Sequence, residues 1–223
     1  MKKIVDLTLP IQEHWRWLCK LRPHHTFDDG FFFHQYMDYN LHGFTHVDAH
    51  LHYIPGAPSI EKVPLDIWYG EATVVDLSHL GENGAVTAAE MEKHAQHVKA
   101  GDIVLLRTDW PLKCDYTTRE FWGKGPYTAA DACHWLVNRK VKTVGYDYPP
   151  DDILRYEVLD SSHVGTSPDD FPTHDIFFKA GVFVIEYLCN LHLIKKQRFE
   201  FMALPLPIVG GDGSPARAIA FVD

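Results

Sequence analysis

LHGFTHVDAHLHY, residues 41–53, has a histidine or an aspartate at almost every second position from His42 onward. Successive side chains of a β-strand point to opposite faces, so this spacing predicts a strand with its polar groups on one face. A solvated edge strand is the simple alternative, but so many imidazoles in phase with a carboxylate favour a metal site. The polar residues in phase are His42, His46, Asp48, His50 and His52.

The spacing also predicts how the chain must run. At ~3.3 Å per residue, His46 and Asp48 lie ~7 Å apart along a strand and can both lean onto one ion. His42 can join them only if the chain bends, and Gly43 is the residue at which a bend costs least. A helix would pair His42 with His46 but would carry Asp48 to another face, and this segment is poor in helix formers. We therefore expect a bent loop that leads into a strand.

The residue types indicate which metal would bind and what it would do. Neutral imidazoles and carboxylates are ligands that Zn²⁺ and Mn²⁺ accept, and two histidines with one carboxylate leave coordination positions open for water. A structural zinc site is usually closed by thiolates, and no cysteine lies near this segment. The sequence therefore predicts a catalytic Zn²⁺ or Mn²⁺ site, with either His50 or His52 as a proton carrier.

Two further candidate ligands flank the segment HDIFFKAGVFVIE, residues 174–186. His174 falls in the first turn of a predicted helix, and Glu186 ends an apolar strand. A carboxylate in that place is costly to bury unless it is paired or bound to a metal, although Glu186 could equally emerge into solvent.

The rest of the chain predicts an α/β fold with a mixed sheet or a partly closed barrel, in one domain over residues 1–223. Predicted helices start at the N-caps Thr87, Thr128 and Thr173 and run to about residues 98, 139 and 179. Residues 210–213 are predicted to form a hairpin-type turn between the last two strands. The predicted strands are Ile4–Leu9, Thr73–Leu77, Ile103–Arg107, Thr143–Tyr146, Val182–Glu186, Phe199–Leu206 and Ala216–Val222.

Composition narrows the class of protein. The formal net charge is −9 without a long basic run, which argues against nucleic acid or an anionic membrane as the partner. No run of eighteen apolar residues is present, and Asp6 and Pro10 interrupt the N-terminal segment before a signal-peptide core can form. The four cysteines lie far apart, as in reduced proteins, so we expect a cytoplasmic location.

HGFTHVDAHLH resembles the HxGTHxDxPxH signature of the metal-dependent cyclase-type hydrolases, the family of bacterial kynurenine formamidase and isatin hydrolase. Other blocks of the chain also resemble that family. They are IVDLTLPI, LLRTDW, VKTVGYDYPPDD, HDIFFKAGVFVIEYLCNL and LPLPIVGGDGSPARAIA. The sequence departs from the signature at Phe44, where a glycine is usual, and at His50, where a proline is usual.

The resemblance implies roles for individual residues. It implies His42, His46 and Asp48 as ligands of one metal, and Asp48, His174 and Glu186 around a second metal where one is present. It implies His52 as the catalytic proton donor and acceptor. It also implies a swivelling β/β/α fold and homodimers or homotetramers with active sites near the subunit contacts.

We therefore expect a hydrolase that cleaves the C–N bond of a small, aryl amide or formamide by metal-activated water, with His52 passing a proton to the leaving nitrogen. Two alternatives keep the site: opening of a lactam or lactone, and a cyclising dehydration of the polyketide type. A third, a metal-binding module without activity, is disfavoured because metal retention alone needs no proton carrier. Aromatic residues could line the substrate pocket: Trp15, Trp17, Phe31, Phe32, Phe33 and Trp110.

Overall fold

The computed structural model describes residues 2–30, 33–160, 162 and 164–222, and most of its strands form one sheet. The helices are α1 (Ala88–His94), α2 (Trp110–Lys113), α3 (Glu120–Gly123), α4 (Ala130–Asn138), α5 (Ile153–Leu159) and α6 (Pro172–Lys179). The strands are β1 (Lys3–Asp6), β2 (Cys19–His25), β3 (His34–Tyr39), β4 (His46–Asp48), β5 (Tyr69–Asp76), β6 (Ala85–Val86), β7 (Ile103–Arg107), β8 (Tyr127–Thr128), β9 (Thr143–Tyr146), β10 (Phe183–Glu186), β11 (Arg198–Met202), β12 (Gly213–Pro215) and β13 (Ile219–Val222).

The main sheet is mixed and curled. Its order is β1-β13-β11-β5-β7-β9-β10-β4-β12, with parallel pairing from β5 through β10 and antiparallel pairing outside that block. Residues 216–218 alone connect β12, at one end of this order, to β13, next to the other end. So short a link requires the two ends to approach each other, because three residues span at most ~11 Å. The result is a half-barrel, which confirms the α/β class and the mixed, partly closed sheet.

Each face of the sheet packs against its own hydrophobic core. Along β7, Ile103 and Leu105 enter one core, and Val104 and Leu106 enter the other. The second of these cores also contains buried residues of α1, α4 and α6, so the helices cover that face of the sheet. The alternation follows from the period of two along a strand.

Two of the three predicted helix N-caps are wrong. Thr87 does cap α1, since its side chain accepts a hydrogen bond from the Glu90 amide, although α1 ends at His94. Thr128 instead ends β8 and bonds the hydroxyl of Tyr148, so Ala129 precedes α4. Thr173 lies inside α6, which Phe171 precedes. The hydroxyl groups of Thr128 and Thr173 instead make hydrogen bonds to residues distant in sequence, Tyr148 and Asp151.

The predicted antiparallel pairing of the last two strands is confirmed, since β11 pairs with β13 and the same register continues to the Pro205–Ala216 bridge. The chain between them is longer than a tight hairpin turn, because it contains β12, which pairs with β4 at the far end of the sheet. A separate two-stranded ribbon is formed by β2 and β3. Within the described ranges, no helix combines the length and the hydropathy that a membrane span requires.

Candidate metal centre

The adjacent strands β4 and β10 bring three candidate ligands together. Glu186 is the register partner of His46, so both side chains and that of Asp48 point to one face. His46 Nε2 lies 3.3 Å from Asp48 Oδ1 and 3.9 Å from Glu186 Oε2. All three residues are buried, so Glu186 does not emerge into solvent.

α6 adds His174 from the other side. Its Nε2 lies 3.7 Å from Asp48 Oδ2 and 3.5 Å from Glu186 Oε1. Its Nδ1 lies 2.8 Å from Asp151 Oδ2, which fixes the ring so that Nε2 faces the carboxylates. Asp151 also accepts hydrogen bonds from the amide and the hydroxyl of Thr173, at 3.0 and 2.7 Å. This use of the hydroxyl explains why Thr173 does not cap the helix.

His42 joins the group because the chain bends, but the bend is not at Gly43. The residue with left-handed backbone is Phe44, at φ +55°, where its ring is fully buried. The bend brings His42 Nδ1 to 2.8 Å from Asp48 Oδ1. Gly43 is needed for space instead, since a Cβ there would lie 3.3 Å from Trp17.

The predicted polar alternation ends after Asp48, because residues 50–52 form a single 3₁₀ turn rather than a strand. The His50 ring stacks on Phe183 at 3.9 Å, and its Nε2 lies 3.2 Å from the Val182 carbonyl. His50 therefore points away from the ligand group. His52 remains beside it, with its ring stacked on His42 at 3.8 Å.

Sequence reasoning missed two carboxylates. Asp212 Oδ2 lies 2.9 Å from His42 Nε2 and 3.2 Å from His52 Nδ1, so it bridges the two rings. Its position between glycines predicted only a turn. Asp151 lies in the PPDD segment, which is part of a block that resembles the family but which gives no sign of a role for this carboxylate. Both residues could have been found by the same signal, a charged residue beside glycine or proline in an otherwise apolar region.

The electrostatics of the cluster are dominated by burial and by the neighbouring charges. Burial raises the pKa of Asp48, but the charge of His46, the nearby imidazole of His174 and the hydrogen bond from His42 hold it well below its usual range. Burial, together with the charge of Asp48, raises the pKa of Glu186. Burial lowers the pKa of His42, yet the carboxylates of Asp48 and Asp212 outweigh it and raise the value to about 9.

The pKa values of His174 and His52 shift in opposite directions, although both histidines line the same cavity. Burial acts to lower the pKa of His174, but its hydrogen bond to Asp151 and the nearby carboxylate of Asp48 raise it well above the usual value. Burial lowers the pKa of His52, and the carboxylates near it do not reverse the shift. The lowered pKa of His52 favours its neutral form near neutral pH, in which the ring can accept a proton.

One buried atom tests whether a cation fits. Asp48 Oδ2 is buried and has no hydrogen-bond partner among the described residues. An unpaired buried carboxylate oxygen is costly, and it faces ligand atoms of His174 and Glu186 that lie within 4.8 Å of one another. Imidazole nitrogens with carboxylate oxygens are the donors that Zn²⁺ and Mn²⁺ prefer, so the residues present fit a divalent cation.

The cluster forms the floor of a cavity of about 490 Å³, a size typical of small-molecule sites. Trp17 is the predicted aromatic residue that lines it. Trp110 lies in the core, and Trp15 and Phe33 are exposed elsewhere. Phe31 and Phe32 lie outside the described residues. The other apolar walls were not predicted: Tyr53, Leu154, Phe171 and Tyr187.

A second group of possible ligands lies outside this cavity. His79 Nε2 is 2.7 Å from Glu90 Oε2, and His94 Nε2 is 3.5 Å from the same oxygen. These residues do not line the cavity, so they cannot serve a substrate bound there.

Comparisons with known proteins identify the family of this chain and its fold. The profile of the family described as "Putative cyclase" matches residues 5–152. The kynurenine formamidase of Bordetella petrii is 31% identical over 212 residues, which cover 94% of this chain and 87% of the relative. A solved structure described as a predicted metal-dependent hydrolase from Bacillus stearothermophilus is 27% identical, with a TM-score of 0.74 over 100% of both chains. Isatin hydrolase A from Ralstonia solanacearum shares the fold, with a TM-score of 0.81 at 24% identity over 100% of this chain and 92% of that one.

Proposed function

This chain belongs to the cyclase family, and we propose from that premise that it is a metal-dependent hydrolase that cleaves the C–N bond of a small aryl amide or formamide. The activity named for the Bordetella petrii relative, kynurenine formamidase, motivates the bond and the aryl group. The reaction adds water across the C–N bond of a formamide and releases formate and an amine.

The observation that carries the proposal is the unpaired Asp48 Oδ2 on the floor of the cavity. His42, His46 and Asp48 would hold one metal, and Asp48, His174 and Glu186 a second where one is present. Zn²⁺ and Mn²⁺ both suit these ligands. When bound, such an ion supplies Lewis-acid activation of water and of the amide carbonyl.

His52 would carry the proton. Its Nδ1 lies 3.2 Å from Asp212 Oδ2, so Nδ1–H donates to that carboxylate and Nε2 is left as the base. His52 Nε2 can take a proton from the attacking water and return it to the leaving nitrogen, which would otherwise depart as an unstable anion. Asp212 holds the ring in this tautomer, and the stack on His42 limits its rotation.

The decisive test replaces His52 with Ala and measures formamide turnover together with metal content. We expect the rate to fall at least ~10²-fold while the bound metal stays at the wild-type level. His50→Ala is the matched control from the same turn and should leave the rate unchanged, because that ring faces Phe183. Turnover that survives in His52→Ala at full metal content would remove His52 from the mechanism.

The substrate class has its own test. Wild-type enzyme is offered aryl formamides, including N-formylkynurenine, beside an aryl lactam, and the mass change is followed. We expect loss of the formyl group as formate. Turnover of the lactam alone, seen as a gain of one water, would replace formamide cleavage by ring opening.

We also propose that the enzyme acts as a homodimer or homotetramer. The ribbon of β2 and β3 supports this, because Leu21, Tyr36 and Met37 on it are exposed apolar side chains. Light scattering should give a mass above one chain. The double substitution Leu21→Lys with Met37→Lys should then shift the protein toward the monomer, and an unaltered mass would exclude the ribbon as the contact.

A further inference from the structure

We propose that His79, Glu90 and His94 form a Zn²⁺ site separate from the cavity, and that an ion bound there joins the turn after β5 to α1. None of these three side chains lines the cavity. The proposed ligands of the catalytic metal lie on β4, β10 and α6 and on the bend before β4, so the two sites share no element. Zn²⁺ binding at α1 therefore does not depend on the proposed hydrolysis.

Three metal-binding side chains lie close together beside α1. Glu90 Oε2 is 2.7 Å from His79 Nε2 and 3.5 Å from His94 Nε2, and each residue offers one ligand atom within 4.8 Å of the others. The two imidazole rings stack with their centroids 4.8 Å apart. Imidazole nitrogens with a carboxylate oxygen suit Zn²⁺, whereas Mg²⁺ and Ca²⁺ prefer oxygen ligands alone.

The separation between Glu90 and His94 is the one that a shared zinc ion requires. Bonds from Zn²⁺ to nitrogen or oxygen are about 2.1 Å long, so two ligands at a tetrahedral angle lie ~3.4 Å apart. The 3.5 Å between His94 Nε2 and Glu90 Oε2 agrees with this value. The shorter 2.7 Å between His79 Nε2 and Glu90 Oε2 is a hydrogen bond. When an ion replaces that bond, the His79 ring carries its proton on Nδ1 and the two atoms need to separate by only ~0.7 Å.

One nitrogen of this group lacks a partner. His94 Nε2 is buried and makes no hydrogen bond among the residues that the structure describes, although Glu90 Oε2 lies 3.5 Å from it. Buried polar atoms without a partner are rare and costly in folded proteins. An ion between His94 and Glu90 would supply the missing partner.

The Glu90 carboxylate is turned toward the histidines rather than toward the start of its helix. Thr87 caps α1 by accepting a hydrogen bond from the Glu90 amide. A glutamate in that position can complete a capping box by bonding the N-cap amide, but the Glu90 carboxylate contacts His79 and His94 instead. Residues four apart share a face of a helix, as the two histidines of HExxH zinc sites do. α1 thus presents Glu90 and His94 as a pair of ligands.

The turn that carries His79 is held by its own backbone and by a lysine. The Leu80 amide donates to the Leu77 carbonyl at 2.9 Å. Lys113 Nζ donates to the carbonyls of Ser78 and Leu80, on either side of His79, at 2.7 Å each. A ligand on a restrained turn loses less conformational entropy on binding than a ligand on a free one.

Zn²⁺ should fill this site only after the cavity is loaded. The group offers three protein ligands, and the His79 side chain retains 45% of its exposure, so water has access to the remaining coordination position. We therefore expect bound Zn²⁺ to rise in two steps as free Zn²⁺ is increased. Because the second step has the weaker affinity, its effect on Tm should be smaller than that of the cavity metal.

Equilibrium dialysis at buffered free Zn²⁺, followed by elemental analysis, measures the ions bound per chain. At the second step we expect His79→Ala and Glu90→Gln each to bind one Zn²⁺ fewer than wild type. His134→Ala is the matched control, because His134 is an exposed histidine of α4 outside the ligand groups found in the described ranges, and it should bind as many ions as wild type. Excess Mg²⁺ should not displace the ion.

Hydrogen exchange shows where the ion binds. At the second step, Zn²⁺ should slow amide exchange in residues 77–81 of wild type and of His46→Ala, which lacks a cavity ligand, but not of His79→Ala. Equal Zn²⁺ content in wild type and His79→Ala would overturn the site. An equal loss in His134→Ala, or displacement by Mg²⁺, would also overturn it, because either result indicates nonspecific binding at the surface. None of these outcomes depends on whether the enzyme hydrolyses a formamide.

Discussion

Phe44 has a left-handed backbone that destabilises the fold and a buried side chain that stabilises it. Left-handed backbone costs a residue with a Cβ roughly 1–2 kcal/mol, whereas deletion of a buried phenylalanine side chain costs roughly 3–5 kcal/mol. The phenyl ring contacts Trp17 and is fully buried. We therefore expect Phe44→Gly to lower the free energy of unfolding by about 2–3 kcal/mol, measured by urea denaturation.

Asn83 provides the comparison for this prediction. It has the same left-handed backbone, at φ +57°, but it is exposed. Asn83→Gly should leave the free energy of unfolding nearly unchanged or raise it slightly. A Phe44→Gly protein as stable as wild type would mean that relief of the left-handed backbone fully offsets the lost packing.

Asp212 should act through His52 rather than on the substrate. Asp212→Asn removes the negative charge and adds an amide donor, so the His52 tautomer is no longer fixed, and we expect kcat to fall by at least ~10-fold. In a His52→Ala background the same substitution should add much less, because only the contact with His42 is then left to lose. Equal losses in both backgrounds would assign Asp212 a structural role. The measurement is kcat for the four proteins at saturating metal.

For single residues, the sequence predicted which side chains could share a face of a strand. It did not predict which residues, distant in sequence, lie against them. His46 and Asp48 could be predicted to share a face because a strand repeats every two residues. The bend at Phe44 could not, since local rules place it at the neighbouring glycine, and the aromatic packing that stabilises it is tertiary. Asp212 escaped notice because nothing in its own segment reveals which strand lies opposite.

At the scale of elements, the pairing of β12 with β4 positions His42. Gly213 lies on β12 where a Cβ would be 2.7 Å from His42 Cε1 and 3.1 Å from the Val47 carbonyl. Gly213→Ala should therefore displace the His42 ring and weaken metal binding by at least ~10-fold without removing a ligand, as seen when supporting residues are lost. Competition with a chromogenic chelator measures this.

Gly210 serves as the control for that substitution. It lies three residues earlier, in the turn that precedes β12, and a Cβ there would meet nothing within 4 Å, although its φ of +76° makes alanine mildly strained. Gly210→Ala should cost some stability and leave metal affinity unchanged. Equal affinities in Gly213→Ala and wild type would show that His42 is not held by β12.

The strands in the parallel block could be predicted from the sequence, whereas two of the three helix starts could not. Ile103–Arg107 and Thr143–Tyr146 are central, apolar and β-branched, so their local pattern agrees with their burial. Thr128 and Thr173 have the residue type of a cap, but each hydroxyl is bound to a distant partner. Cap signals fail where tertiary hydrogen bonds compete for the same group.

At the scale of the whole molecule, a bound metal should contribute to folding as well as to catalysis. Its proposed ligands come from β4, β10 and α6, so an ion ties together segments more than 120 residues apart in sequence. At free metal a thousandfold above Kd, the gain is about 4 kcal/mol, or about 10 °C in Tm for a chain of this size. We expect chelation to lower Tm by this amount and Zn²⁺ or Mn²⁺ to restore it.

Two variants test which residues bind the metal that raises Tm. His46→Ala should lose the metal-dependent rise in Tm, whereas His79→Ala, which alters the group near α1, should keep it. A rise that depends on His79 and not on His46 would place the stabilising ion at the surface. Differential scanning calorimetry with and without chelator decides between them.

The overall class of fold followed from alternating strands and helices, but these left open whether the mixed sheet stays open or partly closes into a barrel. No local pattern states that β12 leaves the neighbourhood of β11 to pair with β4, because strand order depends on contacts that are distant in sequence. The resemblance to a family implied a swivelling domain and residue roles, which periodicity alone left open.

The pairing of His46 with Glu186 also constrains how the length of this chain can change over evolutionary time. One residue inserted or deleted between Val182 and Glu186 would turn the Glu186 carboxylate to the opposite face of the sheet. Two residues would return it to the original face but displace the carboxylate by ~7 Å along the strand. Insertions should instead accumulate in exposed turns such as residues 81–84. Descendants of this sequence can therefore vary freely in total length while the count of residues within β10 is inherited unchanged.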